Sequence, residues 1–348
     1  MSEHMAIRLG IIGAGGIFHS RHFPGLGEIE DVKLVAVCNR SEASSHKVAK
    51  AYDIAHVESD WRKLIARDDL DAVMIGTWPY MHKQMSVAAL EAGKHVFCQA
   101  RMASDLAEAR EMAAAAERYP QLVNMLCPPP HRMPWEPYIQ HLLVSGELGD
   151  LREVRLRCIN DVNLGESLTW REQVEYSGKQ VMQVGIWAET LNAWVGEYDT
   201  LCATTATPIA TKHDSRGNLH QIRIPQIVMI HGTLASGAAI GEHHSGVALH
   251  EHENRLTLYG TRGTLAIDAM QSIRFGAVGE KLALVDVPAQ MLRPWRVERD
   301  FIEAVRAARR GEAWQVSPDF AEGLAYMKKV EALCRSAQTG QAVKLAEL

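Results

Sequence analysis

Along the first 126 residues, short aliphatic runs alternate with longer segments whose apolar positions recur at helical spacing. The runs at 7–13 (IRLGIIG), 33–38 (KLVAVC), 71–77 (DAVMIGT), 95–100 (HVFCQA) and 122–127 (LVNMLC) read as strands. They are apolar almost throughout, as strands covered on both faces are, and this predicts a parallel sheet with crossover helices. One helix is announced by Ser104-Asp105 as a cap, with Glu108 and Glu111 early in the segment, where the helix dipole favours anions. Pro128, Pro129 and Pro130 interrupt the pattern, because successive prolines neither extend a helix nor donate to a sheet ladder. Domains at 1–127 and 128–348 follow. In the second, a helix over 135–145 ends at Ser145-Gly146, and 151–160 alternates like a strand with one wet face. Further strands are expected at 222–231, 236–243, 254–259 and 263–267, with a helix at 179–195 and two at the C-terminus that can pack back on the first domain. The expected fold class is α/β: an N-terminal doubly wound parallel sheet, plus a C-terminal α+β domain with a mainly antiparallel open sheet.

The chain has 348 residues, 47% of them hydrophobic and 23% charged, enough for two globular cores. Lys and Arg number 37 against 42 Asp and Glu, a formal charge of −5. No basic footprint points to nucleic acid, so a small-molecule substrate is expected. No leader-like or membrane-length apolar run appears, which points to the cytoplasm and away from a membrane. Six scattered cysteines without a C-x-x-C pair read as buried thiols rather than disulfides or zinc ligands.

Gly13-Ala14-Gly15-Gly16-Ile17-Phe18 directly follows the first strand and opens a helix. Bare amides at such a turn suit a dinucleotide pyrophosphate, so the first domain reads as a Rossmann domain. A tight turn without ligand is the alternative, since Phe18 stands where a third small residue is usual. The second strand ends Cys38-Asn39-Arg40-Ser41, without the acid that would accept from a ribose 2′-hydroxyl. Asn39 removes a repelling charge and Arg40 and Ser41 offer donors, so NADP is favoured over NAD. Otherwise Arg40 is a solvated strand-end charge.

These stretches resemble the glucose-fructose oxidoreductase and inositol dehydrogenase (Gfo/Idh/MocA) family. Residues 10–17 are similar to its first strand and turn. Thr77-Trp78-Pro79-Tyr80-Met81-His82 is similar to its threonine-proline loop beside the nicotinamide. Residues 92–98, 145–149 and 259–265 are similar to its next strand, linker helix end and late sheet turn. The resemblance implies dinucleotide-dependent oxidation or reduction of sugars, cyclitols and related compounds. It also implies a second domain whose sheet walls the substrate pocket and commonly mediates oligomers, so a homo-oligomer is expected. The departures fall on the chemistry. Where the family has Glu-Lys-Pro this chain has Gln99-Ala100-Arg101, and where it has Asp and His this chain has Gln183 and Trp187. All three lost groups handle substrate or its proton, and a tuned base contributes on the order of 10²–10⁴-fold.

Arg101 would bring a planar cation for an oxyanion but no base, or else pairs with an acid at the domain seam. His131 and Arg132 follow the prolines, where the resemblance implies polar substrate contacts. His131 is a candidate acid or base; a satisfied core or surface histidine is the alternative. In 241–253 (GEHHSGVALHEHE) four histidines crowd together. His250 and His252 would share a strand face, as metal ligands do, yet no remote ligand is evident and no metal is assigned. Direct substrate contact by His243 or His244 is the preferred reading there, with either, like His131, a candidate to replace the lost acid or base. Gln99, Gln183 and Trp187 are kept as cofactor or substrate contacts by alignment, although Trp187 and Trp194, seven apart, also suit a helix core face. The leading expectation is an NAD(P)-dependent oxidoreductase on a sugar, polyol or related hydroxylated molecule. A lyase, isomerase or hydrolase retaining the nucleotide site, or an inert dinucleotide-binding regulator, are the alternatives.

Overall fold

The structure is a computed structural model describing residues 6–181 and 183–348. The described residues form two compact units: the chain up to Pro128 with Arg296–Leu324, and Pro129–Trp295 with Ala325–Leu348. Among them no helix is long and apolar enough to cross a membrane.

The first unit carries strands β1 (Ile7–Ile12), β2 (Val32–Cys38), β3 (His56–Val57), β4 (Ala72–Ile75), β5 (His95–Cys98) and β6 (Asn124–Leu126). Their order is β3-β2-β1-β4-β5-β6, with every neighbouring pair parallel. The order reverses direction at β1 and β4, so the carboxyl ends of these strands flank the crevice in which open α/β sheets bind ligands. Every residue of β4 and β5 is buried, which is why these runs lack polar alternation. The connecting helices are α1 (Phe23–Gly27), α2 (Glu42–Ala51), α3 (Trp61–Ile65), α4 (Pro79–Glu91) and α5 (Leu106–Arg118). Local chemistry sets their starts: Ser41, Asp60 and Asp105 accept from backbone amides at the first turns of α2, α3 and α5, and Pro79 opens α4. A π-helical turn, Phe18–His22, precedes α1.

In the second unit lie α6 (Glu136–Val144), β7 (Leu151–Ile159), α7 (Val174–Ser177) and α8 (Val184–Val195), then β8 (Tyr198–Ala206), β9 (Thr211–His213) and β10 (Leu219–Gln221). They are followed by β11 (Ile227–Leu234), β12 (Ala239–Ser245), β13 (Glu253–Gly260), β14 (Gly263–Asp268), β15 (Ser272–Ala277), β16 (Ala283–Leu284) and, near the C-terminus, β17 (Val343–Lys344). Helix α9 (Val297–Arg309) belongs to the first unit, and α10 (Phe320–Thr339) contributes to both. Among the described residues nine strands form one sheet, ordered β16-β15-β14-β13-β7-β12-β11-β8-β17 and antiparallel except where β7 meets β12. One face is core, built from residues such as Val154, Leu156, Val228, Ile230, Leu256 and Leu258 beneath α8 residues Trp187, Leu191 and Trp194.

The architecture is the expected α/β class, with three local corrections. The helix expected at 179–195 begins only at Val184, because Gly178 adopts φ 65° and ends the short α7. The strand expected at 222–231 begins at Ile227, after Pro225. His250 and His252 lie in a loop before β13, with His250 at φ 62°, so they do not alternate on a strand.

Candidate functional site

In the first unit, the carboxyl ends of β1, β2 and β4 open on a cleft of about 340 Å³. Its lining includes Gly13, Gly15, Asn39, Arg40, Ser41, Thr77 and Trp78 from the expected set. Tyr80 and Met81 of the 77–82 loop line it as well, as do Trp61 and Ser44, which no motif announced. The glycines divide by what they avoid. Gly13 has φ 79°, and a Cβ there would sit 2.7 Å from the Thr77 amide nitrogen, so protein geometry excludes a side chain. At Gly15 the nearest such contact is 3.9 Å, and at Gly16 nothing lies within 4 Å. Both are exposed, so their missing side chains leave room for something outside the fold. That is the cradle a pyrophosphate needs at a helix start.

Asn39 holds this cradle from beside it: its Oδ1 accepts from the Ala14 amide at 2.7 Å and its Nδ2 donates to Ser44 Oγ at 2.9 Å. Asn39 therefore braces the turn, with its amide committed within the protein. Arg40 is exposed, with its guanidinium 5.6 Å from the Trp78 ring centroid, a cation–π distance. Ser41 caps α2 by accepting from the Ser44 amide.

His82 is fully buried, with Nε2 2.9 Å from the Thr77 carbonyl oxygen and Nδ1 2.8 Å from that of Arg101. Burial pulls its pKa below the ordinary histidine value against the pull of these carbonyls. It staples the 77–82 loop to the segment after β5 and does not line the cleft. Pro79 and Arg101 are buried too, while Ile17 is 37% exposed beside the glycines. Gln99, at the end of β5, contacts His22, whose Nδ1 lies 2.5 Å from Glu298 Oε1 on α9. Neither His22 nor Glu298 was singled out from sequence.

The second unit brings several other candidates together. His131 stacks on Trp187, with ring centroids 4.1 Å apart, and its Nε2 is 3.1 Å from Thr190 Oγ1. That hydroxyl donates to the Ile186 carbonyl, so it accepts from His131 and fixes the Nε2–H tautomer. The other nitrogen, Nδ1, has no partner among the described residues. Burial drives the His131 pKa down to about 3, so at neutral pH it is an uncharged acceptor and a poor base. Arg132 is committed to Glu136 at 2.5 Å and Glu189 at 3.1 Å. Gln183 accepts from the Cys158 thiol at 2.9 Å, and the fully enclosed Trp187 donates from Nε1 to Asn254 Oδ1 at 2.9 Å. The positions at which the resemblance implies an acid and a base thus hold groups that bond inward to the sheet.

His243 and His244 are successive residues of β12, so their side chains leave opposite faces. His244 is 1% exposed and meets Glu242 through Nε2 at 2.8 Å. His243 is half-buried on the other face, with a pKa lowered by burial and by Arg157. The two do not share one site. Among the described residues, no group of three His, Cys, Asp or Glu side chains is placed to hold a metal ion.

A parallel six-stranded sheet whose switch-point turn is open at Gly15 and Gly16 has the form of a dinucleotide-binding α/β protein. The chain belongs to the Gfo/Idh/MocA oxidoreductase family. That family's NAD-binding Rossmann domain matches residues 7–126, and its C-terminal domain matches residues 138–266. The chain is 30% identical over 175 residues to a 4-carboxy-2-hydroxymuconate-6-semialdehyde dehydrogenase of Sphingobium, a match spanning 48% of this chain and 54% of that protein. It is 37% identical over 111 residues to an NADP-dependent scyllo-inositol 2-dehydrogenase of Bacillus subtilis, covering 32% of this chain and 34% of that one. The chain thus spans about half and a third of these two relatives. Among solved structures, a levoglucosan dehydrogenase in complex with NADH superposes with a TM-score of 0.86 at 20% identity, covering 98% of this chain and 99% of that one. An aldose-aldose oxidoreductase from Caulobacter crescentus, complexed with glycerol, gives 0.80 at 22% identity, covering 97% and 99%. These two likenesses concern the fold.

Proposed function

We propose that the protein is an NADP-dependent oxidoreductase acting on a sugar, polyol or related hydroxylated small molecule. The observation that carries this reading is the cleft of the first unit, where a Cβ at Gly15 or Gly16 would meet no atom closer than 3.9 Å, beside Arg40, Ser41 and Ser44 with no acid at the end of β2. Gly15, Gly16 and Ile17 would hold the pyrophosphate. Arg40, with Ser41 and Ser44, would take the 2′-phosphate, whose charge rewards a guanidinium. Trp61 and Trp78 supply apolar faces for the adenine and ribose end. When bound, the nicotinamide supplies hydride acceptance or donation. The relatives named as dehydrogenases, one of them NADP-dependent, support the same class.

In the second unit, His131 presents an unprotonated Nδ1 suited to accept from a ligand hydroxyl, and Thr190 keeps the ring in that tautomer. With its pKa near 3, His131 orients a hydroxyl without removing the proton. The six cysteines, all unbridged, suit a reducing cytoplasm. The exposed sheet residues Met229, His231 and Arg255 suit a homo-oligomer of this chain.

A second reading rests on Gln183 and Trp187, which are bonded inward: a dinucleotide-responsive regulator that binds cofactor without turnover. A panel of sugars, cyclitols and polyols with NADP, and of the matching ketones with NADPH, separates the two by the near-ultraviolet absorbance of reduced nicotinamide. Turnover with a hydroxylated substrate, its pH profile free of a group attributable to His131 near neutrality, is the expected result. Tight dinucleotide binding with no turnover across the panel would refute the enzyme and favour the regulator.

A further inference from the structure

A buried chain of three side chains runs behind the end of β5. Glu298, in the first turn of α9, and His22, from the π-helical turn, are 1% and 0% exposed and meet at 2.5 Å through Oε1 and Nδ1. His22 Nε2 in turn meets Gln99 Nε2. A carboxylate only accepts, so His22 Nδ1 carries the hydrogen that points at Glu298. In that tautomer Nε2 holds a lone pair and accepts from the Gln99 amide nitrogen. The amide cannot then turn over without setting its carbonyl oxygen against the lone pair. Its Oε1 therefore faces out of the chain of contacts, and among the described residues it has no hydrogen-bond partner.

Packing makes the arrangement deliberate. A Cβ on Gly25 would come within 2.6 Å of Glu298 Oε2, so the glycine of α1 gives that carboxylate its place. The rings of Phe18 and Phe97 pack edge-on against His22 at 4.7 and 5.3 Å. The π-turn brings His22 inward while His19 and Ser20 stay exposed, and such turns recur at functional positions. Gln99 directly follows β5 at the carboxyl edge of the sheet, where its backbone N–H donates to the Ile75 carbonyl of β4. This is the edge at which ligands of such sheets bind.

We propose that Glu298 and His22 are positioning residues that fix the Gln99 amide, so that its Oε1 accepts from the carboxamide NH2 of a bound nicotinamide. The inference rests on the cofactor reading above and adds a recognition element at the redox end of the dinucleotide. Gln99 selects for a ring that bears a donor; Glu298 and His22 decide which end of the Gln99 amide is shown.

The test uses binding alone, with three probes on the full chain: NADP, its 3-acetylpyridine analogue, whose methyl replaces the NH2, and adenosine 2′,5′-bisphosphate, which lacks the nicotinamide. The unchanged protein should prefer NADP over the analogue by about five- to tenfold, the worth of one partly buried hydrogen bond. Gln99→Met should abolish this preference, and Glu298→Gln, which lets His22 adopt the other tautomer, should reduce it. Both variants should bind the bisphosphate as before. Equal affinity of the unchanged protein for both dinucleotides would overturn the proposal without any variant, and so would a preference that survives in Gln99→Met. Failure of the bisphosphate itself to bind the unchanged protein would instead refute the NADP reading.

Discussion

Lys329 of α10 is the sharpest place to test how the second unit is held together. Its ammonium lies 2.5 Å from Glu242 Oε1 on β12, and the two side chains are 1% and 0% exposed. Tyr198 also donates to Glu242 Oε1, and His244 meets Oε2 at 2.8 Å. Burial alone would push the Glu242 carboxyl up; Lys329 and His244 outweigh it and hold it at about 2. Burial equally pulls the Lys329 ammonium down against the attraction of Glu242, so the pair is a modest net stabiliser that is costly to break. Lys329→Met leaves a carboxylate in the core with Tyr198 and His244 as partners and no lysine, which should cost about 3–5 kcal/mol. For a folding unit of about 150–250 residues this lowers Tm by roughly 6–20 °C. Adding Glu242→Gln removes the stranded charge while keeping an oxygen for Tyr198, so the double variant should recover about 2 kcal/mol relative to the single one. Urea unfolding followed by tryptophan fluorescence reads the effect, because Trp187 and Trp194 are buried in the same unit. A loss under about 1 kcal/mol, the value for an exposed pair, would refute the reasoning. So would a double variant less stable than Lys329→Met alone.

Other outcomes follow from the same geometry. Glu242 titrates lower folded than unfolded, so its contribution is present above the unfolded value of about 4.5 and is lost as pH falls from there toward about 2; Tm should fall with pH across that range more for the native chain than for Glu242→Gln. Gly13→Ala forces a Cβ to 2.7 Å from the Thr77 amide at φ 79° and should destabilise the first unit by about 1–3 kcal/mol. Gly16→Ala meets no protein atom within 4 Å and should melt like the native chain while binding dinucleotide several-fold more weakly, as thermal melts with and without NADP would show.

Much of the first unit was legible because a parallel sheet buried on both faces leaves continuous aliphatic runs, and because Asp105 carries the start of α5 in its own chemistry. The second sheet was harder to read. Strand β8 faces outward through Thr204, Thr205 and Ala206, and β15 is interrupted by Gly276, so neither shows a strong apolar alternation. The cleft was foreseen at its glycines, Arg40 and Thr77. Trp61 escaped because nothing local distinguishes a cleft-lining tryptophan from one that opens a helix in the core. His22 and Glu298 lie 276 residues apart, and no local pattern links them. His243 and His244 were grouped by composition, although the two-residue period of a strand already sends neighbours to opposite faces.

Calorimetric titration with NADP and NAD, on the native chain and on Arg40→Ala, asks whether the first unit binds a dinucleotide carrying a 2′-phosphate. NADP should bind more tightly than NAD, and the variant should lose about 10- to 100-fold for NADP alone, as expected for one or two charge-assisted hydrogen bonds. Binding of neither dinucleotide, or equal binding of both with no effect of the variant, would contradict this reading.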